Sequence, residues 1–142
     1  MTAALSPQLT RLKQWMTLCA ALYAGSGLVF AVAPGFVRDL MLIFTRLVGL
    51  PDMPASTERF WLTLSVSMMV MLVVSCTMVA RDAGKNLAFC VPVICSKFTS
   101  TLLGFLYFLL GEPQGALLVI GVTDLPLGIV TLLLWQQARK VA

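Results

Sequence analysis

Histidine is absent from this chain of 142 residues. Its absence excludes His-ligated haem, the usual zinc and copper sites, and any Ser-His or Cys-His nucleophile pair. Charge is scarce too: ten Lys and Arg with six Asp and Glu make up 11% of the residues, where a soluble domain carries about a quarter. So few ionic side chains cannot coat a water-facing surface, which rules out a cytosolic enzyme and a disordered regulator. No C-x-x-C joins the four cysteines, Cys19, Cys76, Cys90 and Cys95. Cys90 and Cys95 fall about 140° apart on a helix, and all four read as buried thiols acting as small hydrophobes rather than as a redox pair. The glycines form no phosphate-binding loop, because Gly25-Ser26-Gly27 lies inside an apolar run with no Lys after it. No metal site, intrinsic cofactor or catalytic motif is expected, and the weight falls on a non-catalytic role.

What is present is apolar. Hydrophobic residues make up 59% of the chain and the mean hydropathy is +0.94, the composition of an integral membrane protein. The formal charge of +4 comes from basic residues scattered in short stretches beside apolar runs. Nucleic acid would want a basic cluster and is not an expected partner. Membrane lipids are, and a larger membrane complex or a homo-oligomer is left open.

A span needs about 20 apolar residues. Four runs qualify, over about 15–33, 60–80, 87–110 and 116–135, in one transmembrane domain covering 1–142. The first also imitates a signal peptide: Arg11 and Lys13 precede it, and Ala31-Val32-Ala33 resembles a cleavage site. Its apolar stretch is long for that role, and Pro34 follows the site, so a retained span is expected. Between the first two spans, residues 35–50 repeat Phe36, Val37, Leu40, Ile43, Phe44 and Leu47 at helical steps, interrupted by Arg38, Asp39, Thr45 and Arg46. That pattern suits a short amphipathic helix lying in the interface. Pro51 and Pro54 then break the chain, and Ser56 or Thr57 would cap the second span, with Glu58 in its first turn. Arg81 to Lys85 and Gly111 to Gly115 read as tight turns. Trp61 and Trp135 stand at span ends, as belt aromatics do. The expected fold is an all-α, integral membrane four-helix bundle with a short interfacial amphipathic helix between spans one and two.

Orientation follows from Lys and Arg. With the N-terminus inside, the inner segments hold Arg11, Lys13, Arg81, Lys85, Arg139 and Lys140, against Arg38, Arg46 and Arg59 outside. Both termini are therefore expected on the cytoplasmic side of a bacterial inner membrane. The outer segments also hold Asp39, Asp52, Glu58 and Glu112. Spans one and two do not echo three and four in polar positions, so an inverted-repeat transporter is not indicated.

Two ionisable side chains lie deep within spans, Lys97 and Asp124, where charge is costly and faces the bundle interior or a cavity. Lys97 is ten residues from Leu87 and Asp124 eleven from Trp135, which puts them about 15 and 16 Å from the same membrane face. Opposite charges at one depth on antiparallel neighbours form an ion pair. In one reading the pair only pins helix to helix; in another it lines a polar pocket; in a third each group meets a partner subunit. Lys97, Ser100, Thr101 and Gly104 share one helical face, and Gly121, Asp124, Gly128 and Thr131 another. Small faces let helices approach closely and hydroxyls bond across. Tyr23 and Ser26 in the first span, and Ser65 and Ser67 in the second, complete the candidate polar centre; Ser75-Cys76-Thr77 lies nearer the inner face. Pro92 and Pro126 flank the pair, and each frees a carbonyl about one turn earlier. Met68, Met69, Met71 and Met78 read as packing or as an adaptable surface for a hydrophobic ligand.

A first span ending in Phe30 to Pro34, an amphipathic re-entry, and three more spans joined by short turns resemble the small membrane proteins grouped as DoxX-like. That resemblance implies a four-helix membrane fold and, from one member, the small subunit of a quinone-reducing enzyme; it carries over no site residue. Proton-coupled small multidrug transporters share the length, but the uncharged first span departs from them. The expected function is binding of a hydrophobic molecule with a polar head, a quinone or a lipid, against Lys97 and Asp124 by a non-catalytic subunit or binding protein. The alternatives are a proton-coupled exporter that titrates Asp124 and the membrane subunit of a quinone-linked oxidoreductase.

Overall fold

The computed structural model describes residues 6–50, 59–111 and 114–142. The chain is all-α: α1 (Pro7–Val32), α2 (Pro34–Leu47), α3 (Arg59–Arg81), a short 3-10 turn (Leu87–Phe89), α4 (Cys90–Leu110) and α5 (Gly115–Arg139). Helices α1, α3, α4 and α5 are long and apolar enough to cross a membrane. Helix α2, at 14 residues, reaches about 21 Å and falls short of a hydrocarbon core about 30 Å thick.

Helix α1 begins eight residues before Trp15, where the apolar run was expected to start the span. The charged Arg11 and Lys13 end that run, yet they stay exposed while Leu9, Leu12, Met16, Cys19 and Tyr23 continue one buried stripe at helical spacing. Ser6 caps the new start, accepting from the Leu9 amide at 3.4 Å, with Pro7 in the first turn. The far end is set by Pro34, which disfavours helical backbone at Ala33 (φ −134°, ψ 58°) and then opens α2 itself. The turn after α3 is tied by Asp82, which accepts from the Lys85 amide at 3.1 Å, and by the Asn86 side chain, which donates to Met78 O at 2.8 Å. The expected break at Leu50 to Pro54, the caps at Ser56 or Thr57, Glu58, the Trp61 side chain, Glu112 and Pro113 lie outside the described residues.

The four long helices form a ring, with α1 packed on α3, α4 on α5, and the pairs closed by α1 against α5 and α3 against α4. Glycine sets the closest approach. A Cβ at Gly104 would stand 2.9 Å from Leu117 O, and one at Gly121 would meet the Phe105 ring at 2.9 Å. Gly128 leaves room for Lys97 Cβ, 3.2 Å from where its own would be. Gly27 does the same for Met69 at 3.1 Å on the α1–α3 side. Helix α2 docks through Thr45, which is fully buried against Gly115 at the start of α5.

The apolar core is one-sided. Leu9, Leu12, Met16, Cys19, Tyr23, Leu72, Cys76, Val79, Ala83, Cys90, Val93, Ile94 and Ala138 fill the half of the bundle that holds the α1 N-terminus and the α5 C-terminus. In the other half the buried positions among the described residues are Gly27, Thr45, Thr101, Gly104, Gly115 and Gly121. There each helix pair closes on its own glycines, while side chains continuing the interior stripes, such as Phe30, Phe105 and Phe108, are half-buried.

Gly104→Ala forces backbone to part and should destabilise by about 1–3 kcal/mol, as overpacking does. Gly25→Ala, with nothing within 4 Å of the added carbon, should be neutral or mildly stabilising. Thermal unfolding of the two variants in detergent checks the contrast.

Candidate functional site

Where the packed core ends, three helices bring polar groups together. Lys97 of α4 is 5% exposed, and its Nζ donates to Asp124 Oδ1 of α5 at 2.8 Å. Close packing of α4 on α5 through Gly104, Gly121 and Gly128 makes that reach possible. The other carboxylate oxygen, Oδ2, accepts from Ser100 Oγ, whose position one turn after Lys97 also places it 3.1 Å from Lys97 O. From α1, the Tyr23 ring lies beneath the ammonium, 4.7 Å from nitrogen to ring centroid. A desolvated cation over such a face gains up to about 2 kcal/mol.

The group is electrically neutral and nearly sealed, with 6% of the Lys97 side chain and 15% of the Asp124 side chain exposed. Two hydroxyls break the pattern. Tyr23 Oη and Thr101 Oγ1 are buried and have no hydrogen-bond partner among the described residues. Their residues are 4% and 7% exposed. Thr101 follows Lys97 by one turn, toward the half in which the described residues form no packed core. Each hydroxyl is a donor as well as an acceptor, and leaving one unmet in a dry interior costs about 1–3 kcal/mol.

The expected members divide. Lys97, Asp124, Ser100 and Tyr23 meet in one layer, with Thr101 beside it. Ser26 does not join: the α1 stripe passes from Tyr23 to Gly27 and leaves Ser26 exposed. Ser65 and Ser67 are exposed as well, and Ser67 Oγ donates to Leu64 O at 2.8 Å. Thr131 serves packing; it donates to Leu127 O at 2.7 Å and accepts the Trp15 indole N–H at 2.9 Å, joining α5 to α1. Trp15 marked only a span start in the sequence, although an indole N–H at an apolar boundary needs an acceptor.

The two prolines sit differently in their helices. Pro126 is exposed, and the carbonyl it releases, that of Val122, lies on an exposed stretch of α5. Pro92 falls in the first turn of α4, where backbone amides lack helical partners anyway. Cys19, Cys76 and Cys90 are buried, whereas Cys95 is exposed, contrary to its reading as a core thiol. The methionines separate: Met69 packs on Gly27, while Met68 and Met71 border a crevice of about 50 Å³ between α3 and α4. That volume is far below the roughly 300 Å³ a ligand pocket needs. Among the described residues no three His, Cys, Asp or Glu side chains converge as metal ligands would.

Comparison with family models, curated protein sequences and solved structures finds no match to this chain.

Removing one charge of the pair strands the other, which costs about 3–5 kcal/mol. Lys97→Met and Asp124→Leu should each lower the unfolding temperature, and the double variant should recover most of the loss. Full recovery of both stability and ligand retention would make the pair purely structural.

Proposed function

We propose that the chain is an integral membrane protein whose α1, α3, α4 and α5 cross the bilayer while α2 lies in the interface, with both termini on the cytoplasmic side of a bacterial inner membrane. Its role in this reading is binding, as a free binding protein or a non-catalytic subunit. The ligand is a hydrophobic molecule with a polar head, a quinone or a lipid, held where Tyr23, Thr101, Lys97, Ser100 and Asp124 converge.

The membrane reading is supported by large apolar side chains turned outward on every long helix, Leu28, Val70, Leu102 and Leu133 among them. On α2 the stripe of Phe36, Leu40, Ile43 and Leu47 faces away from the bundle, opposite the Thr45 contact, and Leu47 is 79% exposed. A helix with that face unpartnered suits the headgroup boundary. The basic residues favour the orientation.

The observation that carries the ligand reading is the two buried, unmet hydroxyls of the layer around a self-neutralised ion pair. Lys97 and Asp124 already neutralise each other, so the site has little to offer a charged head. What it lacks is acceptors for two O–H groups, which points to a neutral head bearing carbonyl oxygen: a quinone, or the ester region of a lipid. Entry from the half in which the described residues form no packed core would bring such a head to Thr101 and Tyr23 while its tail stays among apolar side chains.

The test is to purify the full chain in mild detergent and identify retained lipids and quinones by mass spectrometry. A retained carbonyl-bearing molecule should be lost roughly fivefold in Tyr23→Phe and in Thr101→Val, the worth of about 1 kcal/mol per hydrogen bond. Because each change deletes an unmet polar atom, stability should stay level or rise. Equal retention in wild type and both variants, or nothing retained at all, would refute the site.

A further inference from the structure

The net charge of this protein is confined to one end. Arg11 and Lys13 on α1, Arg81 and Lys85 at the α3–α4 turn, and Arg139 and Lys140 at the end of α5 are all exposed there. The one carboxylate among them, Asp82, is engaged by Lys85 at 3.6 Å. In the sequence, the segments of the opposite end carry three arginines and four carboxylates, so the +4 of the whole chain arises at the first end. Topology accounts for the sign of this asymmetry but not for its local build. The Trp135 indole N–H is fixed to Leu87 O at 3.1 Å, and the Arg139 guanidinium lies 4.7 Å from the centroid of that same ring. An arginine stacked on an anchored indole is held in place before any partner arrives. Beside it, Gln136, Arg139 and Lys140 border an open hollow of about 330 Å³.

We propose that this hollow binds the phosphate of an anionic phospholipid headgroup, with Arg139 as the fixed anchor and Lys140 and Gln136 as further donors. The proposal rests on the membrane reading above and is independent of the ligand at Lys97 and Asp124. Guanidinium matches the paired oxygens of a phosphate, and lysine adds a point charge. Depth selects lipid over other polyanions. Trp135 follows the apolar Leu132-Leu133-Leu134, which puts its amphipathic ring at the hydrocarbon boundary and the two cations at headgroup level.

The full chain is reconstituted in nanodiscs of phosphatidylcholine and phosphatidylglycerol, and the lipids retained after mild extraction are measured by native mass spectrometry. Wild type should retain phosphatidylglycerol above its share of the bilayer. Arg139→Gln should cut that enrichment roughly tenfold, the worth of one charge-assisted hydrogen bond to phosphate. Arg139→Lys should restore only part of it, since charge returns without the planar fork that pairs two phosphate oxygens. Arg11→Gln with Lys13→Gln removes twice as much charge from the same end of the bundle, and it should still leave most of the enrichment in place. A loss equal to that of Arg139→Gln would mean a diffuse field and no site, and unchanged enrichment in Arg139→Gln would also overturn the proposal. Displacement of the lipid by millimolar inorganic phosphate would make it a site for soluble anions instead. Failure of the chain to enter bilayers would sink the membrane reading, whereas entry without phosphatidylglycerol enrichment would sink this inference alone.

Discussion

A lysine and an aspartate in contact inside an apolar bundle constrain everything around them. Neither tolerates hydrocarbon alone, so each must meet the other at close range, on the correct side of its helix and at the correct height. Lys97 and Asp124 satisfy that demand at 2.8 Å. The glycines serve the same requirement. Gly128 admits the lysine stem, and Gly104 and Gly121 draw the two backbones together so that the side chains reach without stretching. Tyr23 supplies a third wall from α1, an aromatic face rather than a hydroxyl.

The neutral pair also marks a boundary within the molecule. On one side lie the large interlocking side chains, from Leu12 and Met16 to Val79 and Val93. On the other, packing passes to glycine contacts within each helix pair, together with the Thr45 dock of α2 on α5. Among the described residues, interlocking side chains hold one half of the bundle and close helix-pair contacts the other. The polar layer sits where the two meet, with its unmet Thr101 hydroxyl one turn beyond Lys97.

Much of this was legible in the residues because the governing quantities are linear along a helix. Counting 1.5 Å per residue from two span ends sets Lys97 and Asp124 level, and hydropathy delimits the four long helices. Azimuth was harder. One residue turns a side chain by about 100°, which is why Ser26 sits exposed beside a stripe that contains Tyr23 and Gly27. The start of α1 was hidden because charge at Arg11 and Lys13 ends an apolar run without ending a helical stripe through Leu9 and Leu12. The bond from Trp15 to Thr131 was invisible because it joins residues 116 positions apart, and nothing local announces such a partner.

Pairing of the two charges has an electrical consequence. Across an energised membrane, each elementary charge that moves through the field exchanges about 2.3 kcal/mol per 100 mV. A lysine and an aspartate locked at one depth sum to zero, so a displacement that carries both together does no work against the voltage. A neutral guest seated beside them adds none. On the proposed membrane and ligand reading, occupancy beside the pair would follow the guest's concentration in the lipid and stay blind to whether the cell is energised.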